Sequence, residues 1–152
     1  MRKIQTLCLI IRDNRILLGM KKRGFGQGRW NGFGGKVGDG EAIETAAARE
    51  VLEEVNLVVD SLEEIGVLDF CFPNSEDIME VHIFKPNSFS GEPQESEEMK
   101  PQWFGLNEIP FSQMWSDDEY WFPLFLSGKK FKGRFLFDSA DNILEHELIE
   151  LK

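Results

Sequence analysis

The apolar and polar positions of this chain alternate in short blocks, and the blocks predict mostly strands. An apolar run over Ile4–Ile11 reads as a first strand, Asp13-Asn14 as a turn, and Arg15–Met20 as the returning strand. The pattern then dissolves into a loop that carries eight glycines between Gly24 and Gly40. That many glycines allow positive φ and close backbone approach, as a ligand loop requires. A helix is predicted over Glu41–Val55, where Ala46-Ala47-Ala48 favours helix and no Gly or Pro interrupts. Strands follow at Ile65–Phe72, Met79–Lys85 and, shorter, Pro101–Leu106. Asp117–Leu126 reads as helix at its start, with Pro123 against its continuation. Phe131–Phe137 and Ile143–Leu151, separated by Asp-Ser-Ala-Asp-Asn, predict a closing hairpin. Strands outnumber helices, which predicts an α+β fold, a mixed sheet with helices packed on it. No repeat or linker divides the 152 residues, so one domain over 1–152 is expected.

The most informative helix face is acidic. Glu50, Glu53 and Glu54 are spaced i, i+3, i+4 and fall within roughly 100° of one another on a helical wheel. Ala48, Val51, Leu52 and Val55 fall on a separate face that can enter the core. Like charges at this spacing destabilise a helix by about 0.2–0.5 kcal/mol per pair. A hard divalent cation reverses that cost, since it prefers carboxylate oxygens. An isolated motif of this kind is most often a solvated acidic face, so the surrounding sequence decides.

Charge narrows the partners. With 27 acidic and 17 basic residues the net charge is −10, which disfavours a nucleic-acid polymer. A small phosphate ligand carrying its own divalent cation stays compatible. The cations Lys21, Lys22, Arg23, Arg29 and Lys36 gather around the glycine loop, whose backbone N–H groups can face phosphate. Apolar residues make up 41% and charged residues 29% of the chain, which is soluble-globular composition. No apolar run approaches the ~20 residues of a membrane span. The N-terminal run is brief and lacks a small-residue cleavage site, so it reads as strand and not as signal peptide. Cys8 and Cys71 lie in apolar runs and are expected as free thiols in a reducing compartment. The cytosol is the default, with nuclear or mitochondrial entry left open. His82 and His146 have no metal-ligand company and are expected to be structural.

From Gly35 the chain reads G-x5-E-x7-R-E-V-x-E-E-x-N-L, with Glu41, Arg49, Glu50, Glu53 and Glu54 at the fixed positions. This resembles the Nudix box, G-x5-E-x7-R-E-U-x-E-E-x-G-U, with U aliphatic. Asn56 stands where the box has Gly. A left-handed residue is wanted there and Asn is the second choice, so the fold should tolerate it. The stretches LLGMKKRGFGQGRWNGFGGKV, ESEEMKPQWF and MWSDDEYWFPL extend the resemblance from Thr6 to Leu151. They are similar to the animal MutT-related branch of the Nudix hydrolases, which acts on oxidised purine nucleoside triphosphates.

That resemblance implies an α/β/α arrangement of helices around the mixed sheet. It implies Mg²⁺-dependent hydrolysis, with Mn²⁺ as an alternative, of substrates such as 8-oxo-dGTP and 2-hydroxy-dATP. The products are the monophosphate and pyrophosphate, and the role is sanitising the nucleotide pool as a monomer. Glu50 and Glu54 are the expected direct metal ligands, with the Gly35 carbonyl as a further one. Glu53 or Glu98 is expected to act as base or through a bridging water. Arg49 either orients one of these carboxylates or forms an i, i+4 surface pair with Glu53. Phe25, Phe70, Phe72, Met79, Met99, Trp115 and Trp121 are the apolar candidates for the base pocket. An aromatic stripe alone is more often core, and it is the resemblance that moves Phe72, Met79, Met99 and Trp115 toward the pocket. Thr6, Lys21 and Asn31 match positions near the nucleoside, and Gly34 and Gly35 end the loop. Asp117 and Asp118 are expected to share the reading of the base with one of them protonated. The alternative is that they cap the following helix. Two other readings stay open: a Nudix hydrolase for ADP-ribose or a dinucleotide, and a catalytically silent nucleotide-binding module.

Overall fold

A computed structural model describes residues 1–152. The elements in chain order are β1 (Arg2–Cys8), β2 (Ile10–Arg12), β3 (Arg15–Lys21), β4 (Trp30–Asn31), α1 (Ile43–Val55), β5 (Val58–Cys71), β6 (Ile78–Ser90), β7 (Met99–Gly105), α2 (Asp118–Leu126), β8 (Phe131–Phe137) and β9 (Ile143–Glu150). The fold is α+β, as expected, and its strands form two sheets. A five-stranded mixed sheet runs β1-β6-β5-β8-β9, and a four-stranded sheet runs β2-β3-β4 with β7 on the other side of β3.

The apolar run at the N-terminus is not one strand. It breaks at Leu9, where the chain leaves the first sheet and enters the second. The Leu9 N–H donates to the Phe84 carbonyl at 3.0 Å and so stays satisfied at the crossing. Cys8 and Ile10 enter the core beneath α1, while Leu9 enters the core beneath α2. Burial on both sides explains why Leu7–Ile11 is continuously apolar instead of alternating. The same holds in β3, where Leu17 serves one core and Ile16 and Leu18 the other.

Several other boundaries differ from the sequence reading. β5 begins at Val58, well before Ile65, because its first half carries Asp60, Glu63 and Glu64 outward and reads as polar. β6 likewise runs on to Ser90. α1 begins at Ile43, because the Glu41 carboxylate instead accepts the Gly38 N–H at 2.9 Å and closes the preceding loop. Pro123 remains inside α2. Its missing N–H costs a helical bond, but Trp121, Phe122 and Phe125 are all at most 2% exposed, and their burial outweighs that loss. At the end of α1, Asn56 takes φ 60°, and its N–H closes onto the Leu52 carbonyl at 3.0 Å. Asn therefore fills the left-handed position of the box.

Candidate active site

A cavity of about 320 Å³ opens between the glycine loop, the C-terminal half of β1, the end of β5 and the start of α2. One end is polar and the other aromatic. Every expected substrate-binding residue except Trp121 lines it.

The polar end is built by an exceptionally close approach of two backbones. A Cβ placed on Gly34 would fall 1.8 Å from the Thr6 carbonyl oxygen, so only glycine fits. A Cβ on Gly35 would fall 2.7 Å from the Glu50 carboxylate. The loop therefore lies flat between β1 and α1, with Thr6 N–H donating to the Gly35 carbonyl at 2.9 Å. Gly34 N–H donates to Glu54 Oε1 at 2.8 Å. Glu54 is 3% exposed, and burial pushes its carboxyl up to about 8 against the lowering pull of the Gly34 bond and Lys21. Burial also raises Glu50, with Arg49 opposing.

Arg49 organises this end. Its Nε and Nη2 grip both oxygens of Glu41, at 2.8 and 3.0 Å. Its Nη1 donates to Glu50 Oε1 at 2.9 Å, and its Nη2 also reaches the Lys36 carbonyl at 3.1 Å. The Glu53 contact is longer, 3.4 Å. Of the two expected roles, orientation of a carboxylate is the one the geometry supports. The clasp holds the Glu41 carboxyl down at about 2, through the Arg49 bond first and the Gly38 N–H second.

Glu53 and Glu98 are not brought into the cavity, and Glu50 does not line it either, its carboxylate standing beside Gly35. The Glu53 side chain is 58% exposed. Glu98 is half exposed and lies 3.8 Å from Arg23. They flank Glu50 and Glu54 without joining them, and no three such groups are drawn into a ready coordination shell. The donor set still suits a hard divalent cation. Glu54 is buried and Glu50 half-buried, and burial raises the proton affinity of both even with Arg49 on Glu50 and Lys21 near Glu54; Gly35 adjoins Glu50.

The aromatic end is a slot. Phe72 stacks on Phe137, with ring centres 5.1 Å apart and planes at 11°. Phe25 lies against Trp115 at 5.0 Å, and Phe72 meets Trp115 edge-on at 6.3 Å. Asp117 and Asp118 close the slot, 3% and 2% exposed. Trp121 Nε1 donates to Asp117 Oδ2 at 2.8 Å, while Asp118 Oδ2 is buried with no partner. Burial raises Asp117 to about 6; burial and the neighbouring Asp117 raise Asp118 well above its usual range. Neither the Asp117 nor the Asp118 side chain caps α2, since Asp117, at the cap position, makes no side-chain cap bond and Asp118 lies in the first turn without a partner for Oδ2.

Trp121 is corrected by the structure. Spaced i, i+4 from Asp117 on α2, it points into the core at 1% exposure and acts on the slot only through its bond to Asp117. Eight lining residues were missed as site residues, Phe137, Arg29 and Lys36 among them. Phe137 is signalled by the alternation Phe131, Phe135, Phe137, which reads equally as core. Arg29 lines the cavity and reads in the sequence only as one of several loop cations. His82 stays outside the cavity, bracketed on the sheet surface by Glu64 and Glu80. Cys8 is fully buried, and burial pushes its thiol up to about 12; Cys71 is also a free thiol.

Comparison with known proteins agrees with this geometry. The chain is 56% identical over 150 residues to a Danio rerio protein named oxidized purine nucleoside triphosphate hydrolase, covering 99% of this chain and 96% of that one. It is 55% identical over 149 residues to the Mus musculus protein of the same name, covering 98% and 96%. Among solved structures, the MutT protein of Bacillus halodurans superposes with a TM-score of 0.86 at 26% identity, covering 96% of this chain and 97% of that one. The family model described as NUDIX domain matches residues 1–125. With a box, a cavity and a fold that all agree with that match, the chain belongs to the Nudix family.

Proposed function

We propose that this Nudix protein hydrolyses oxidised purine nucleoside triphosphates, such as 8-oxo-dGTP and 2-hydroxy-dATP, to the monophosphate and pyrophosphate. The observation that carries the reading is the pairing, in one cavity, of a carboxylate-glycine end with an aromatic slot closed by two buried aspartates. The first end suits phosphates and the second a flat, hydrogen-bonding base. The two named relatives point the same way.

Glu50 and Glu54, with the Gly35 carbonyl, would hold Mg²⁺. When bound, that ion neutralises phosphate charge and acidifies water. Arg49 keeps the Glu50 carboxylate turned toward Gly35 and away from bulk water. Lys21 and Lys36 line the cavity and offer positive charge to the phosphate chain. Glu53 or Glu98, both exposed and outside the cavity, would take the proton from the attacking water or hold a bridging water. In the slot the base stacks on aromatic faces, and Asn31 offers one amide to its edge. A protonated Asp118 donates a hydrogen bond while an ionised Asp117 accepts. A proton that redistributes between the two lets one slot match more than one pattern of donors and acceptors on an altered purine.

The whole of 1–152 acts as one domain in this reading, because β8 and β9 lie beyond residue 125 and Phe137 of β8 lines the slot. The working unit in this reading is a monomer. A pool of free nucleotides and two free thiols both suit the cytosol. The test is pyrophosphate release with Mg²⁺ from a panel of oxidised and ordinary purine triphosphates, ADP-ribose and dinucleotides. The expected result is kcat/KM at least tenfold higher for the oxidised purine triphosphates. Preference for ADP-ribose or a dinucleotide would transfer the chain to another substrate class, and no release at all would make it a silent binder.

A further inference from the structure

Arg29 takes no part in the reaction above, yet three separate segments meet on it. Its guanidinium carbon lies 4.0 Å from the centre of the Trp115 ring. Its Nη2 donates to Asp141 Oδ2 at 3.0 Å. Asp141 sits in the turn between β8 and β9 at φ 62°, and its carbonyl accepts the Ser116 hydroxyl at 2.9 Å. The Arg29 backbone is fixed as well. Its N–H donates to the Gly26 carbonyl, and its carbonyl accepts the Lys21 N–H, both at 3.1 Å.

Trp115 needs such a hold. It lies in the irregular segment between a short 3₁₀ turn, Phe111–Gln113, and α2, so no sheet or helix ladder fixes its backbone. Phe25, which lies against it, is 65% exposed, and Phe72 and Phe137 meet it only edge-on. A planar guanidinium over an indole both orients and covers it, and a lysine ammonium cannot reproduce that stacking.

We propose that Arg29 and Asp141 form a strap that positions Trp115 as the platform for the base, which makes Arg29 a positioning residue for substrate binding. The role rests on the oxidised-purine reading of the slot. A platform ordered before binding lowers the ordering cost of the complex. That benefit is the same in the ground state and the transition state, so it acts on KM and leaves kcat in place.

The experiment compares the unaltered protein with Arg29→Ala, Arg29→Lys and Asp141→Asn. The first readout is the kcat and KM of pyrophosphate release from 8-oxo-dGTP. The second is the ¹⁹F resonance of Trp115 in fluorotryptophan-labelled protein without nucleotide, assigned by its loss in Trp115→Phe. Arg29→Ala should raise KM about five- to tenfold with kcat within about twofold. Arg29→Lys should recover only part of the loss, and Asp141→Asn should show a smaller rise. The Trp115 resonance should shift or broaden in Arg29→Ala while the other tryptophan signals hold. If Arg29→Ala does not fold, Asp141→Asn, which keeps the side-chain shape, carries both readouts. An unchanged KM, a fall in kcat and melting temperature at constant KM, or full recovery by Arg29→Lys overturns the strap. An unaltered Trp115 resonance does so too, even if the protein turns over no oxidised purine, a result that would sink the substrate reading separately.

Discussion

Single carboxylates in this molecule are given different work by their surroundings. Glu41, clasped by Arg49, is held ionised, while Glu54, buried on α1, is pushed up to about 8 and resists ionisation. Glu54→Gln keeps the shape and the Gly34 bond but removes the charge. It should lower turnover by at least about 100-fold, while the melting temperature without metal stays equal or rises. Mg²⁺ should then fail to raise that melting temperature, as scanning calorimetry with and without the ion can show; near-native turnover at saturating Mg²⁺ would remove Glu54 from the ligand set. Asp117 and Asp118 divide differently. Each Asp→Asn change fixes one donor or acceptor, so each should alter the ratio of kcat/KM between 8-oxo-dGTP and 2-hydroxy-dATP by about tenfold. Equal losses on both nucleotides would mean that the base is read elsewhere. Much of this chemistry is legible in the sequence, because the box fixes spacing and spacing on a helix fixes direction. Arg29 and the true place of Trp121 are not, because each depends on which distant segment the fold brings against it.

At the scale of elements, the site depends on two backbone junctions more than on any side chain. Gly34 lets the loop lie against β1, and a methyl there would meet the Thr6 carbonyl at 1.8 Å. The clash is with backbone on both sides and cannot be relieved by a rotamer. Gly34→Ala should therefore displace the loop, remove the Gly34–Glu54 bond and cost about 2–4 kcal/mol in chemical denaturation, with activity lost. Asn56 is the milder case. It already sits in the left-handed region, so Asn56→Gly should be neutral or stabilising by less than about 1 kcal/mol, whereas Asn56→Ala should cost about 1 kcal/mol. A larger cost for glycine would show that the Asn side chain, not its backbone angle, is what matters. Helix α1, its end at Val55 and the closing hairpin β8–β9 follow directly from the sequence pattern. The early halves of β5 and the late half of β6 do not, since their outward charges hide the strand period. The break at Leu9 is invisible for the opposite reason: with cores on both sides, the run has no polar face to mark where one sheet ends.

At the scale of the molecule, the groups that resist ionisation give stability an unusual dependence on pH. Asp117, Asp118, Glu50 and Glu54 all bind protons more tightly when folded than when unfolded, chiefly because of burial. The stability each contributes is complete below its unfolded value, near 4 for a carboxylate, and is lost as pH rises through its folded value. For Asp117 that loss runs from about 4 up to about 6 and for Glu54 up to about 8. His82 has the same sign. Burial lowers it, but the hydrogen bonds its ring donates to Glu64 and Glu80 prevail and raise it overall. Glu41, Asp77, Glu95 and Asp138 act the other way; held down by their cations or by backbone N–H groups, they stabilise above about 4 and lose that as pH falls. Without metal, the melting temperature should thus rise as pH falls from 8.5 toward about 5.5, by roughly 3–6 °C, and drop again below about 4. Saturating Mg²⁺ should flatten the upper part of this curve, because a cation between Glu50 and Glu54 favours their ionised forms and reverses their contribution. Asp118→Asn should flatten the middle part and leave the acid limb in place. The measurement is a set of thermal melts from pH 3.5 to 8.5 with Mg²⁺ and with chelator. A metal-free curve that is level or rising between pH 6 and 8.5 would mean that these carboxylates are solvated in the folded protein, and that the cavity is wetter than its packing implies.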